Sequence, residues 1–138
     1  MAGRRGRGSA SGALVATAVL LCAVLLAAAA PAAEAARRPA YKSYLVGDGA
    51  GWTRYLQNWW PAGKTFHAGD ELVFKYDSRF HDVVITSKGA FKKCVVSKGA
   101  RVLASGYDRV TLRRGTNYFI CGKPGHCANG MKLAVKVY

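Results

Sequence analysis

The segment YFICGKPGHCANGMKLAV, residues 118–135, decides both the fold and the chemistry of this chain. Alternating apolar residues at its two ends predict one strand before the loop and one after it. The loop carries two cysteines, a histidine and a methionine within eleven positions: Cys121, His126, Cys127 and Met131. Taken alone, this grouping fits a disulfide knot, a zinc clip, a catalytic thiol with its base, or a rarer metal site.

Short strands separated by glycine-rich turns dominate the sequence from Tyr41 onward. GDELVFKYD predicts a strand with Leu72 and Phe74 on one face, and HDVVITSKGAF predicts another that ends at Gly89. YDRVTLRRGTNYFIC predicts two strands around the RRGTN turn, and MKLAVKVY predicts a last strand. GAFKKCVVSKG fits a short helix or a short strand. The pattern as a whole indicates an all-β sandwich or barrel of two sheets with a possible short helix.

Strand periodicity also orients the side chains that bear chemistry, since residues two apart share a face. His81 has the parity of the apolar Val83, and Met131 has the parity of Leu133. Cys121 ends its strand on the apolar face. Three polarisable or ligating side chains are therefore expected at strand ends, directed inward.

These residue types favour copper over other metals. Thiolate, thioether and imidazole together select copper, whereas methionine is a poor zinc ligand. Two histidines and one cysteinate in a trigonal plane, with a weak axial methionine, form a blue-copper electron-transfer site. The chain supplies this set once, and the candidate metal ligands are His81, Cys121, His126 and Met131.

The motif CGKPGHCANGM with the upstream HDVV resembles the phytocyanins, plant blue copper proteins of the cupredoxin superfamily, and is most similar to the plantacyanin or basic blue protein branch. VGDGAGW, NWWPAGKTFHAGDELVFKYD and MKLAVKV also fit that family. The resemblance covers nearly all of the chain after its N-terminal segment. It implies a cupredoxin-like Greek-key β-sandwich and one type 1 copper held by the four candidate ligands. It also implies a disulfide between Cys94 and Cys127, which would leave Cys121 as the thiolate.

The N-terminus has the organisation of a secretory signal peptide. A basic segment with three arginines precedes the apolar run ALVATAVLLCAVLLAAAA, and an Ala-x-Ala arrangement follows at Ala33 and Ala35. We predict a signal peptide at residues 1–35 that is removed, followed by a phytocyanin domain at 36–138. A retained transmembrane anchor is the alternative. Cleavage would give a secreted, extracellular protein of the plant apoplast or cell wall, monomeric and without a membrane span.

The charge balance indicates the kind of partner. The full chain has a formal net charge of +14, and removing residues 1–35 takes away three arginines and one glutamate, which leaves +12. A basic secreted protein is expected to meet acidic polysaccharide, an acidic protein or an anionic membrane. Nucleic acid is not expected, because the basic residues are spread along the chain and a secreted protein rarely meets it.

The sequence does not favour an enzyme. It has no Ser-His-Asp order, and its three histidines cannot furnish the further centres of a copper oxidase. The prediction is a one-electron carrier with an unknown redox partner, in which His126 is the exposed port. The alternative is a basic cell-wall or cell-surface interaction or signalling protein in which copper is structural.

Overall fold

A computed structural model describes residues 39–138, so the predicted signal peptide at 1–35 lies outside the described residues. Two short 3₁₀ turns, Asp48–Ala50 and Leu56–Asn58, lie between the first two strands. In chain order the other elements are β1 (Ser43–Leu45), β2 (Glu71–Lys75), β3 (Val83–Thr86), α1 (Lys88–Lys93), β4 (Arg101–Leu103), β5 (Tyr107–Thr111), β6 (Gly115–Ile120) and β7 (Lys132–Val137).

The strands form two sheets. The three-stranded sheet has the order β1-β2-β5, with β1 parallel to β2 and β5 antiparallel to it. The four-stranded sheet has the order β4-β3-β6-β7 and is antiparallel throughout. The chain crosses between the sheets after β2, after β4 and after β5. This arrangement confirms the predicted all-β sandwich of two sheets.

The main core lies between the sheets. Phe74 of β2 and Phe119 of β6 are fully buried, with ring centroids 5.1 Å apart, and Trp52 packs edge-on against Phe74. Leu72, predicted to share a face with Phe74, is also fully buried. Burying each side chain of this size stabilises the fold by about 1.5–3 kcal/mol relative to leaving it exposed.

The segment after β3 is helical, and the reason is local. The Ser87 side chain accepts a hydrogen bond from the Ala90 backbone N–H, which caps the first turn of α1. Strand β3 therefore ends at Thr86, and the predicted extension to Gly89 is wrong. Helix α1 packs on the outer face of the four-stranded sheet, with the Phe91 ring 5.2 Å from that of Tyr118.

The topology brings distant residues to one end of the sandwich. Because β3 runs antiparallel to β6, with Val84 opposite Ile120, the residues that precede β3 lie beside those that follow β6. The loop from 121 to 131 joins β6 to β7 at the same end. His81 and this loop are therefore neighbours, although 40 positions separate His81 from Cys121.

Asp70 stabilises the opposite end of the three-stranded sheet. Its two carboxylate oxygens accept hydrogen bonds from the backbone N–H groups of Lys42 and His67, both at 2.9 Å. We expect Asp70→Asn to lower the free energy of unfolding by about 1–3 kcal/mol. The asparagine NH2 group replaces one carboxylate oxygen and points at a backbone N–H group, so two donors meet and one hydrogen bond is lost. Urea denaturation measures the change. Glu71→Gln, which weakens the surface contacts of Glu71 with Arg109 and Ser43, is the matched control and should cost less than about 1 kcal/mol.

The same carboxylate makes stability depend on pH. Burial alone raises the pKa of Asp70, but the two backbone donors outweigh it and hold the pKa below its ordinary value. A lowered pKa in the folded state stabilises the protein above the unfolded-state pKa of about 4. This stabilisation should disappear as the pH falls from about 4 through the lowered pKa. Equal acid sensitivity in Asp70→Asn and the unmodified protein would contradict it.

Candidate metal centre

Three side chains converge at the end of the sandwich where β3 begins and β6 ends. The Nδ1 atoms of His81 and His126 are 3.1 Å apart. The Cys121 Sγ atom lies 3.5 Å from Nδ1 of His126 and 3.9 Å from Nδ1 of His81. Within residues 39–138 this is the one group of three or more histidine, cysteine or acidic side chains arranged so that a metal ion could bind.

The three donor atoms form a triangle of the right size for one ion. The point equidistant from all three lies about 2 Å from each atom. Bonds from a first-row transition metal to imidazole nitrogen or thiolate sulfur are about 2.0–2.3 Å long. The donors therefore fit a trigonal site without rearrangement, and the two nitrogens and one sulfur match the equatorial set of a blue-copper centre.

Met131 closes the loop that carries Cys121 and His126. It is fully buried in the same core cluster as Cys121. Its backbone C=O accepts a hydrogen bond from Cys121 N–H, and its own N–H donates to the C=O of His126, both at 3.0 Å. These bonds fix the backbone of the predicted axial residue relative to two of the converging side chains.

Burial sets the protonation of the metal-free site. It raises the pKa of the Cys121 thiol, which is 1% exposed. It lowers the pKa of His81, and the neighbouring His126 lowers it further. His81 is therefore neutral and ready to bind at neutral pH, whereas Cys121 keeps its proton until a metal replaces it. Metal binding should accordingly release a proton.

Asp82 holds the start of the 121–131 loop and the Trp52 indole through hydrogen bonds. Its side chain is buried and accepts a 2.6 Å hydrogen bond from Gly122 N–H, directly after Cys121. Its backbone C=O accepts a hydrogen bond from the Trp52 indole N–H at 2.9 Å. Asp82 thereby links the residue after His81 to the residue after Cys121.

Sequence reasoning missed Gly122. A Cβ at this position would lie 2.9 Å from Cγ2 of Val84 and 3.2 Å from the Asp82 carboxylate. The absence of a side chain therefore lets the loop approach β3 closely enough for the Asp82 hydrogen bond. A glycine immediately after a candidate ligand was the available signal.

The disulfide implied by the family resemblance is present. It joins Cys94 to Cys127, and Cys121 is the free cysteine within residues 39–138. Cys94 ends helix α1 in a left-handed conformation with φ 52°. The bond ties this helix end to the residue that follows His126, so the cysteines serve two separate purposes.

The third histidine lies elsewhere. The His67 side chain is 62% exposed and pairs with Asp70 at 3.9 Å. The buried Trp52 and Trp60 belong to the core, while Trp59 is half exposed. Within residues 39–138, none of the helices has both the length and the apolar character that crossing a bilayer requires.

A two-sheet β-sandwich with a His₂Cys triangle and a buried methionine at one end defines the cupredoxin class of copper proteins. The family model described as a plastocyanin-like domain matches residues 52–131. The chain is 50% identical over 131 residues to a chemocyanin of Lilium longiflorum, covering 95% of this chain and 96% of the relative.

Other relatives agree. A basic blue protein of Cucumis sativus is 48% identical over 92 residues, covering 67% of this chain and 95% of the relative. The solved structure of cucumber basic protein, a blue copper protein, has a TM-score of 0.67 at 46% identity and covers 70% of this chain and 99% of its own. The chain belongs to the phytocyanin family of the cupredoxin superfamily.

Membership and site chemistry together establish the cofactor. The protein is a blue copper protein with one type 1 copper, and its centre is suited to one-electron transfer. Phytocyanins are electron-transfer proteins and generally not enzymes.

Proposed function

We propose that the copper ligands are His81, Cys121, His126 and Met131, and that the domain carries single electrons between partners. The observation that supports this is the convergence of two imidazole nitrogens and one thiol sulfur on a common point. When bound, copper supplies the one-electron couple between Cu(I) and Cu(II).

The side chains divide the work. Cys121, buried in the core, provides the thiolate after losing its proton. His81 is held by the start of β3 and the Asp82 interactions behind it. His126 is half buried and lies on the loop between the exposed Gly125 and the disulfide-bonded Cys127, and we assign it as the port through which electrons enter and leave.

Rigidity of the donors favours fast transfer. The donors already lie at bonding distances from one point, and backbone hydrogen bonds hold the loop at both of its ends. A site that changes little between the two oxidation states needs little reorganisation for each transfer. The role is that of an electron carrier rather than an enzyme, and its donor and acceptor are separate redox proteins or small molecules.

The protein acts outside the cell in this proposal. Residues 1–35 are removed as a signal peptide, and residues 36–138 form the mature monomeric domain in the apoplast or cell wall. The Cys94–Cys127 disulfide supports this location, because such bonds persist in oxidising compartments. Mass spectrometry of the protein secreted by plant cells would test the cleavage position.

Copper titration tests the electron-carrier proposal. The purified protein should bind one copper, turn blue when oxidised and give a reversible one-electron wave in voltammetry. His81→Ala should weaken copper binding by at least about 100-fold, because a trigonal site loses one of its three strong donors. His67→Ala removes a histidine outside the site and should change nothing. A colourless protein that takes up zinc alone, or equal effects of the two substitutions, would refute the assignment.

A further inference from the structure

A cleft opens between the two edge strands of the sandwich. Strand β5 is an edge of the three-stranded sheet and β4 is an edge of the four-stranded sheet. The cleft has a volume of about 520 Å³. Three arginines, Arg101, Arg109 and Arg113, line it together with the hydroxyl of Thr111 and the amide of Asn117.

A second hollow continues this cleft along the segment that leads into β4. It measures about 440 Å³ and shares Arg101 and Ile85 with the first. Its lining adds Lys98 and the hydroxyl groups of Ser87 and Ser97. We call the two hollows together the arginine groove, defined by Lys98, Arg101, Arg109, Arg113 and Asn117.

The arginine groove carries cations without matching acids. Neither hollow has an aspartate or glutamate in its lining. Arg109 pairs with Glu71, but the ion pairs found among residues 39–138 do not include Lys98, Arg101 or Arg113. The groove therefore retains a positive potential that attracts an anionic ligand.

The backbone that carries one of the cationic side chains is held by Asn117. The Asn117 side chain accepts a hydrogen bond from Arg113 N–H and donates to its C=O, at 3.2 and 2.7 Å. These bonds order the turn between β5 and β6. Arg101 lies on β4 and Arg109 on β5, so regular strands position both.

We propose that the arginine groove binds a linear polysaccharide that carries carboxylate groups, such as a polymer of uronic acid. Guanidinium groups bind carboxylates through paired hydrogen bonds. The serine and threonine side chains in the lining offer hydroxyl groups that suit the hydroxyl groups of sugar rings. An acidic peptide added as a strand fits less well, because β4 has only three residues and offers a short edge.

Arg113 and Asn117 form the end of the arginine groove that is farther from the metal centre, whereas Arg101 lies opposite Ile85, near the middle of the four-stranded sheet. Asn117 and Cys121 are four residues apart on one extended segment, which is a distance of about 13 Å, and the backbone of Arg113 is hydrogen-bonded to Asn117. Neither hollow is lined by a residue of the loop from 121 to 131, so a polysaccharide in the groove leaves His126 free for a redox partner. The proposal is independent of copper, so it can fail while the electron-carrier function holds.

The test uses the copper-loaded protein and an oligogalacturonate of about ten sugars as the probe. Calorimetric titration in low salt should show binding that weakens as salt rises. The double variant Arg101→Gln/Arg113→Gln should weaken binding by at least about tenfold, since contacts to charged groups are among the stronger hydrogen bonds. Lys92→Gln/Lys93→Gln removes the same charge from exposed positions on α1 and should weaken it less than about threefold.

Further probes separate the possible outcomes. A fully methyl-esterified oligomer should not bind, because it lacks carboxylates. Polyglutamate of equal length should bind at least about fivefold more weakly, and binding equal to that of the sugar would overturn the polysaccharide assignment. Equal loss in the two double variants would overturn the groove itself. Unchanged blue absorption shows that the variants are folded. If the double variant fails to fold, Lys98→Gln takes its place, and it should also weaken binding.

Discussion

We expect Cys121→Ser to abolish the blue colour and the reversible redox wave of the protein. The absorption arises from a bond between Cu(II) and thiolate, and a serine hydroxyl does not ionise at neutral pH to replace it. Cys121 is also the one free cysteine of the described domain, so no nearby thiol takes over. Absorption and paramagnetic resonance spectra of the copper-loaded variant measure the loss, which should be complete within detection.

Met131→Leu is the matched control for this experiment. Both residues are buried in the same core cluster, and the exchange of methionine for leucine preserves volume at a cost below about 1.5 kcal/mol. The thiolate and both imidazoles remain, so intense blue absorption should persist, while the reduction potential should rise because a weak electron donor to Cu(II) is lost. Absorption that survives Cys121→Ser would refute the thiolate assignment, and its loss in Met131→Leu would refute the axial one.

Removing the disulfide should produce the largest loss of stability. Cys94 and Cys127 are 33 positions apart, and a closed loop of this length constrains the unfolded chain by about 3–4 kcal/mol. Small domains have total stabilities of about 5–15 kcal/mol. The substitution of both cysteines by alanine should therefore lower the midpoint of urea unfolding substantially.

The measurement is made in Cys121→Ser protein, because the Cys121 thiol could otherwise form a non-native disulfide. The comparison is between copper-free Cys121→Ser protein with and without the two alanines. A loss smaller than about 1 kcal/mol would mean that the bond constrains little beyond what the folded contacts already hold. Reduction of the disulfide in the first protein should reproduce the effect of the alanines.

The sequence predicts the centre better than it predicts its surroundings. Strand parity places His81 and Cys121 at inward-facing strand ends, because a period of two is a local property that any reader of the sequence can count. The pairing of β3 with β6, which brings these ends together, depends on contacts across the whole chain. The family resemblance, rather than periodicity, anticipates that pairing.

Other features have weak local signals. Strand β4 is three residues long, and its central Val102 is half exposed, so alternation over so short a stretch carries little information. Helix α1 depends on the Ser87 cap within a segment that fits a strand equally well. The requirement for glycine at 122 comes from the side chain of Val84, 38 positions away, and no local pattern encodes it.

The loop between β6 and β7 has a consequence for the order of folding. Cys121, His126 and Met131 lie on one hairpin, whose strands are neighbours in the chain and close on each other with little loss of entropy. His81 joins them only when β3 pairs with β6 across more than thirty intervening residues. We therefore expect the hairpin to gather three donors early, and the docking of β3 to complete the trigonal set late. If copper is already bound to the hairpin, its blue colour should appear when β3 docks and His81 joins the other donors. The colour would then mark the closure of the sandwich.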